Sequence, residues 1–98
     1  MQSIEKWQMV KQKRKPVGEE HGLVDYSREL ILFNDEKNSF DFVIQTLIDV
    51  CDHELLQAEQ CAFIAHFKGK CAVKSGFWGE LKPKFEEMSR RGLTVSID

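Results

Sequence analysis

The sequence is short of most features that announce a chemistry or a compartment. No apolar run approaches the roughly 20 residues that span a bilayer, so no membrane-crossing helix is expected. Neither sign of charge is in excess: 14 Lys and Arg against 16 Asp and Glu leave a formal net charge of −2. That balance gives no overall attraction for nucleic acid. Cysteine is sparse, with Cys51, Cys61 and Cys71 and no Cys-x-x-Cys pair. An odd, unpaired set of this kind does not make a disulfide framework. His53 or His66 beside these thiols matches no zinc-ligand spacing, and the thiols read as small, soft core residues. No metal or other cofactor is expected. The opening stretch, MQSIEKWQMVKQKRKP, lacks the apolar centre of a secretion signal, and a cytoplasmic protein is expected.

What is present suits one compact domain. Hydrophobic residues make up 42% and charged residues 31% of 98 positions, the composition of a globular fold with a thin core. Residues 1–27 read as a flexible N-terminal extension. Lys11, Lys13, Arg14 and Lys15, then Pro16, Gly18, Glu19 and Glu20, bury too little apolar surface to offset ordering entropy. Ile4, Trp7, Met9 and Val10 form one apolar island in it, able to dock on the domain or on a partner.

Residues 28–98 carry the elements. Arg28 to Phe33 is a strand whose unbroken aliphatic run predicts a central or doubly covered position. Asn38 is the predicted N-cap of a helix that buries Phe40, Val43, Leu47 and Val50 at helical spacing. Asp52 is the predicted cap of a second helix, with an inner stripe of Leu55, Ala58, Cys61, Ala62 and Ala65. Phe63, Ile64 and Phe67 make that helix apolar almost all round, so it should be buried on two sides, or bury one side and line a pocket with another. Gly69 is the predicted left-handed stop. Lys70 to Ser75 is a second strand. A third helix is predicted from Phe77 or Gly79 to Arg91, with Leu81, Phe85 and Met88 facing inward, and a start near Glu80 would put Pro83 in its first turn. Gly92 ends it, and Leu93 to Ile97 is the last strand. Glu86, Glu87, Arg90 and Arg91 read as a solvated helix face. The order β-α-α-β-α-β predicts an α+β sandwich, a small three-stranded sheet against three helices.

Two clusters stand apart from packing: Asn34-Asp35-Glu36 after the first strand, and His66-Phe67-Lys68-Gly69-Lys70 at the end of the second helix. LFNDEKNSFDFVI (Leu32 to Ile44), HFKGK (His66 to Lys70) and the element spacing over the last seven-tenths or so of the chain resemble the ClpS family. Members of that family are bacterial adaptors that deliver N-degron substrates to a Clp unfoldase–protease. The resemblance implies a fold like the C-terminal domain of the ribosomal stalk protein. It also implies an α-amino-binding cup of Asn34, Asp35, Glu36 and His66. Beside the cup it implies a side-chain pocket of Leu32, Phe33, Asn38, Phe40, Val43, Ala62, Ala65 and Leu93. Glu80 and Lys84 are the positions it implies for contact with a ClpA- or ClpC-type unfoldase, and a monomer is expected. The chemistry fits: a free α-amino group, with a pKa near 8, brings three donors and a positive charge, which an amide oxygen, a carboxylate and a neutral imidazole can accept.

The chain departs from the family pattern in three places. Glu36 stands for the usual Asp, Asn38-Ser39-Phe40 for Thr-Pro-Met, and Ala62 and Ala65 for larger residues. One wall grows and the other shrinks, so a reshaped pocket is expected. These departures keep open a second reading, an interaction domain on the same fold that no longer reads N-termini. A Cys–His hydrolase built on Cys71 and His66 lacks a third member and an oxyanion site, and no enzyme is expected.

Overall fold

The computed structural model describes residues 26–98. The expectation of a flexible extension therefore falls, for residues 1–25, outside the described part. Six elements follow: β1 (Arg28–Phe33), α1 (Phe40–Cys51), α2 (Leu55–Lys68), β2 (Lys70–Gly76), α3 (Trp78–Arg90) and β3 (Val95–Ile97). The fold is α+β. The sheet order is β2-β1-β3 with both pairings antiparallel, so β1 is central, as its aliphatic run requires.

The core lies where the helices meet the sheet. Leu30, Leu32 and Val73 from the strands pack with Leu47 and Cys51 of α1, Ala58 and Ala65 of α2, and Leu81 and Met88 of α3. The α2 contribution is made of alanines, which lets that helix lie close to its neighbours. Leu55 does not join it. This predicted stripe residue is 58% exposed, because only Ala58, Ala62 and Ala65 of α2 are buried.

Two predicted caps move by one or two positions. Ser39, not Asn38, caps α1, its hydroxyl accepting from the Phe42 N–H at 3.1 Å. Asn38 is left free for another task. Asp52 closes α1 from a left-handed conformation, φ 60°, and does not open α2. Asp tolerates that region better than most residues, and Glu54 stands at the α2 N-cap with no side-chain bond. α3 starts at Trp78, earlier than Glu80, because the Phe77 carbonyl already accepts from Glu80 and Leu81 at 2.9 and 3.0 Å. Pro83 therefore sits beyond the first turn, where its missing N–H leaves one helical hydrogen bond unmade. Gly69, at φ 98°, ends α2 as its sequence position requires.

A bulge interrupts the β1–β2 ladder, where Leu30 pairs with Lys74 and Ile31 with Ala72. Val73 is the extra residue. Its carbonyl accepts from His53 Nε2 at 2.6 Å, which fixes the imidazole proton on that nitrogen. At the same end of the domain, Lys84 donates to the Val50 carbonyl at 3.2 Å and approaches Asp52 at 3.8 Å.

The charged face of α3 is paired. Glu87 accepts from Arg90 Nε at 3.0 Å and Arg91 Nε at 2.7 Å, and Arg91 reaches Asp49 of α1 at 3.5 Å. The bonds from Arg90 and then Arg91 hold the Glu87 carboxyl down at about 2, from an ordinary 4.5. A carboxyl lowered by folding adds stability that is complete above its unfolded pKa and is lost as pH falls through the folded one. Glu87→Gln should accordingly flatten the part of the acid dependence lying between pH 4.5 and about 2. Urea midpoints across that window would show it, and parallel curves for the two proteins would contradict the pairing.

Candidate functional site

The two motifs singled out by sequence meet through the backbone. The Asn34 N–H donates to the Gly69 carbonyl at 2.9 Å, tying the end of β1 to the end of α2. From there the chain turns about Asp35. Its Oδ1 accepts from the Lys37 and Asn38 N–H groups, each at 3.0 Å, an Asx-type turn. The Asn38 amide adds bonds to Asp35 Oδ1 and Oδ2 at 3.2 and 3.1 Å and a third to the Gly92 carbonyl at 3.1 Å. The Asp35 carboxylate is thus occupied in ordering the turn. Asn38 links that turn to the one after α3, which carries Leu93.

A small cavity of about 40 Å³ opens between these segments. Leu32 and Phe33 come from β1, Phe40 and Val43 from the first turn of α1, Ala62 and Ala65 from the buried side of α2, and Leu93 from the turn after α3. Asn34, Asp35, Asn38 and His66 form its polar part. The structure therefore gathers every candidate cup and pocket residue around one cavity except Glu36. That side chain lies outside the lining and is exposed, where it accepts from Asn34 Nδ2 at 3.4 Å. The bond turns the Asn34 amide so that its oxygen remains available as an acceptor. The longer arm of Glu, compared with Asp, reaches Asn34 without entering the cavity.

Two rings of the lining, Phe40 and His66, belong to a set of four. Phe40 stands edge-on to His66 (centroids 5.7 Å apart, 87°) and to Phe63 (5.8 Å, 70°). Phe67 closes the set against Phe63 and His66, 4.7 Å from each. Edge-to-face contacts of this kind add modestly to area burial. Phe63 and Phe67 are thereby part of the site's surroundings. Sequence reasoning marked them as apolar surface for burial or for a pocket wall, but their spacing on α2 says nothing of the ring that α1 contributes.

The remaining candidates lie elsewhere. Glu80 is in the first turn of α3 and is exposed, close enough to Gly76 that any side chain there would collide with its carboxylate. Lys84, one turn on, is half-buried and engaged by Val50 and Asp52. Burial pushes the Cys51 thiol up to about 11. Burial, then the neighbouring Cys71 thiol, pushes Cys61 up to about 12. Neither is a thiolate at neutral pH, the form a nucleophile needs. Among the described residues no group of three or more His, Cys, Asp or Glu side chains is placed to hold a metal. No helix there is long and apolar enough to cross a membrane.

Comparison with known proteins agrees with this architecture. The family model described as ATP-dependent Clp protease adaptor protein ClpS matches residues 26–96. A search of curated proteins finds no match. Among solved structures, ClpS2 of Agrobacterium tumefaciens bound to L-phenylalaninamide is similar in fold, with a TM-score of 0.63 and 18% identity. The match covers 74% of this chain and 94% of that one. With the family model spanning well over half of the sequence, the chain belongs to the ClpS family of ATP-dependent Clp protease adaptor proteins.

Proposed function

We propose that this protein is a cytoplasmic adaptor that binds the free α-amino group and apolar first residue of N-degron substrates. It would deliver them to a Clp unfoldase of ClpA or ClpC type. The observation that carries this reading is the cavity itself, apolar on the side of Leu32, Val43, Ala62 and Leu93 and polar on the side of Asn34 and His66. An ammonium group at the polar end would donate to the Asn34 amide oxygen and to a neutral His66 ring nitrogen, with Glu36 and Asp35 supplying negative charge close by. The first side chain would enter the apolar end, where full burial contributes roughly 1.5–3 kcal/mol. The ClpS2 structure supports the assignment, since its ligand, phenylalaninamide, joins a free amine to a benzyl side chain. Glu80 and Lys84 remain the proposed unfoldase contact. With Lys84 held by the end of α1, Glu80 is the freer of the two.

The size of the cavity sets the specificity. At about 40 Å³ it is well below the roughly 150 Å³ of an apolar cavity that takes benzene. Phe40, 39% exposed and braced by Phe63 and His66, is the wall that must give way to a large first residue. Leu at position one should therefore bind better than Trp. The same narrowness favours the second reading, an interaction domain that has lost N-terminus recognition. Peptide binding separates the two.

Fluorescence anisotropy with peptides that differ only at residue one (Leu, Phe, Tyr, Trp, Val, Ala) is the direct measurement. A free bulky apolar terminus should bind, and N-acetylation should weaken it at least about tenfold, because each acceptor left unpaired costs roughly 1–3 kcal/mol. Binding of the acetylated peptide as tightly as the free one would refute the reading. His66→Ala should lose about tenfold or more in affinity while the urea midpoint stays near that of the parent, since His66 is exposed and outside the core. Phe40→Ala should invert the order of Leu and Trp, and an unchanged order would show that Phe40 is not the limiting wall.

A further inference from the structure

Phe40 also forms a wall of a second, larger depression. Between α1 and α2 runs an open groove of about 460 Å³, with Phe40 and Ile44 on one side and Leu56 and Phe63 on the other. Asp41 and Glu59 add two carboxylates to the same lining. Leu56 and Phe63 are 65% and 55% exposed, a concentration of apolar surface that marks contact sites. The two acids differ from Asp49, Asp52, Glu86 and Glu87, each of which faces a Lys or Arg. Among the described residues, neither Asp41 nor Glu59 takes part in a salt bridge.

Aromatic and aliphatic walls beside carboxylates that make no salt bridge among the described residues suit a basic side chain. A Lys or Arg side chain lays its methylene stem along apolar surface and keeps its charged head at an acidic edge, and ring faces add cation–π attraction. Phe40 lines both the groove and the cavity, so the two adjoin at that ring. An extended peptide advances about 3.3–3.6 Å per residue, so the second or third residue of a chain anchored in the cavity lies about 4–7 Å from the first, within reach of an adjoining depression.

We propose that this groove is a second subsite for the same bound peptide, selecting a basic side chain at its second or third position. The inference rests on the N-terminus-binding reading. It goes further in assigning work to Asp41, Glu59 and Phe63, none of which lines the cavity.

The test uses free-terminus peptides beginning Leu-Ala-Ala, Leu-Arg-Ala, Leu-Ala-Arg, Leu-Glu-Ala and Leu-Ala-Glu, with acetylated Leu-Ala-Ala as control. Arg at one of the two positions should tighten binding about three- to tenfold over Ala, and Glu should weaken it. The gain should shrink as salt rises from low ionic strength to several hundred millimolar. The double variant Asp41→Asn, Glu59→Gln should bring the Arg peptide to the Ala peptide's affinity. Glu29→Gln, which removes one carboxylate from an exposed position on β1, should leave the Arg preference in place. An Arg preference lost equally in Glu29→Gln would reduce the effect to net charge and overturn the subsite. If Leu-Ala-Ala binds and its acetylated copy does not, but Arg gives no gain at either position, the subsite is wrong and N-terminus recognition stands. If no free terminus binds at all, both fall.

Discussion

The Asn38 side-chain amide stands between the Asp35 carboxylate and the Gly92 carbonyl, 3.1 Å from each. The geometry of the cavity depends on that bridge. On one side it holds the turn after β1, which presents Asn34. On the other it holds the turn after α3, which presents Leu93. Beside it, the β1–β3 ladder of three residue pairs and the Phe33 N–H bond to the Thr94 carbonyl at 2.9 Å join the same two segments through the backbone. Asp35 is the partner that makes this possible, since its oxygens already accept from two backbone N–H groups. The Asp35 carboxylate is thus committed to its own turn, which leaves Asn34 and His66 as the other acceptors lining the polar part of the cavity.

The cavity reads as one wall grown and another shrunk. Ala62 and Ala65 are nearly fully buried, at 3% and 4% exposure, so their small size is already used in bringing α2 close to the sheet. It does not enlarge the cavity to match. Phe40 stands at the cavity wall, edge-on to His66 and Phe63. The substitutions are therefore not simply compensating: the alanines serve packing, and Phe40 narrows the entrance.

Much of the fold was legible because its signals are local. The aliphatic run of β1, the stop at Gly69 and the inward Leu81 and Met88 follow from pattern and turn chemistry. The caps predicted at Asn38 and Asp52 lie where two neighbouring residues can both serve: the Gly92 carbonyl claims the Asn38 amide and leaves the cap to Ser39, and Asp52 closes α1 from a left-handed conformation. The meeting of the Asn34 and His66 motifs was read by family resemblance and was not derivable from spacing. What stayed hidden was what depends on two elements at once: the ring set joining Phe40 to Phe63 and Phe67, the removal of Glu36 from the cavity, and the outward turn of Leu55.

The bulge at Val73 has a mechanical meaning. His53, just past the end of α1, donates to the bulged carbonyl, and Lys84 of α3 donates to the Val50 carbonyl near the end of the same helix. Loop, sheet and two helices are therefore bolted together at one pole of the domain. α1 has twelve residues, and at 1.5 Å rise per residue its other end lies about 18 Å away. There the cavity is bounded by turns, half-exposed rings and a single amide bridge. The molecule is built like a tool with a stiff handle and a compliant jaw. Deformation needed to admit a guest can be absorbed at the mouth without disturbing the core that keeps the chain folded.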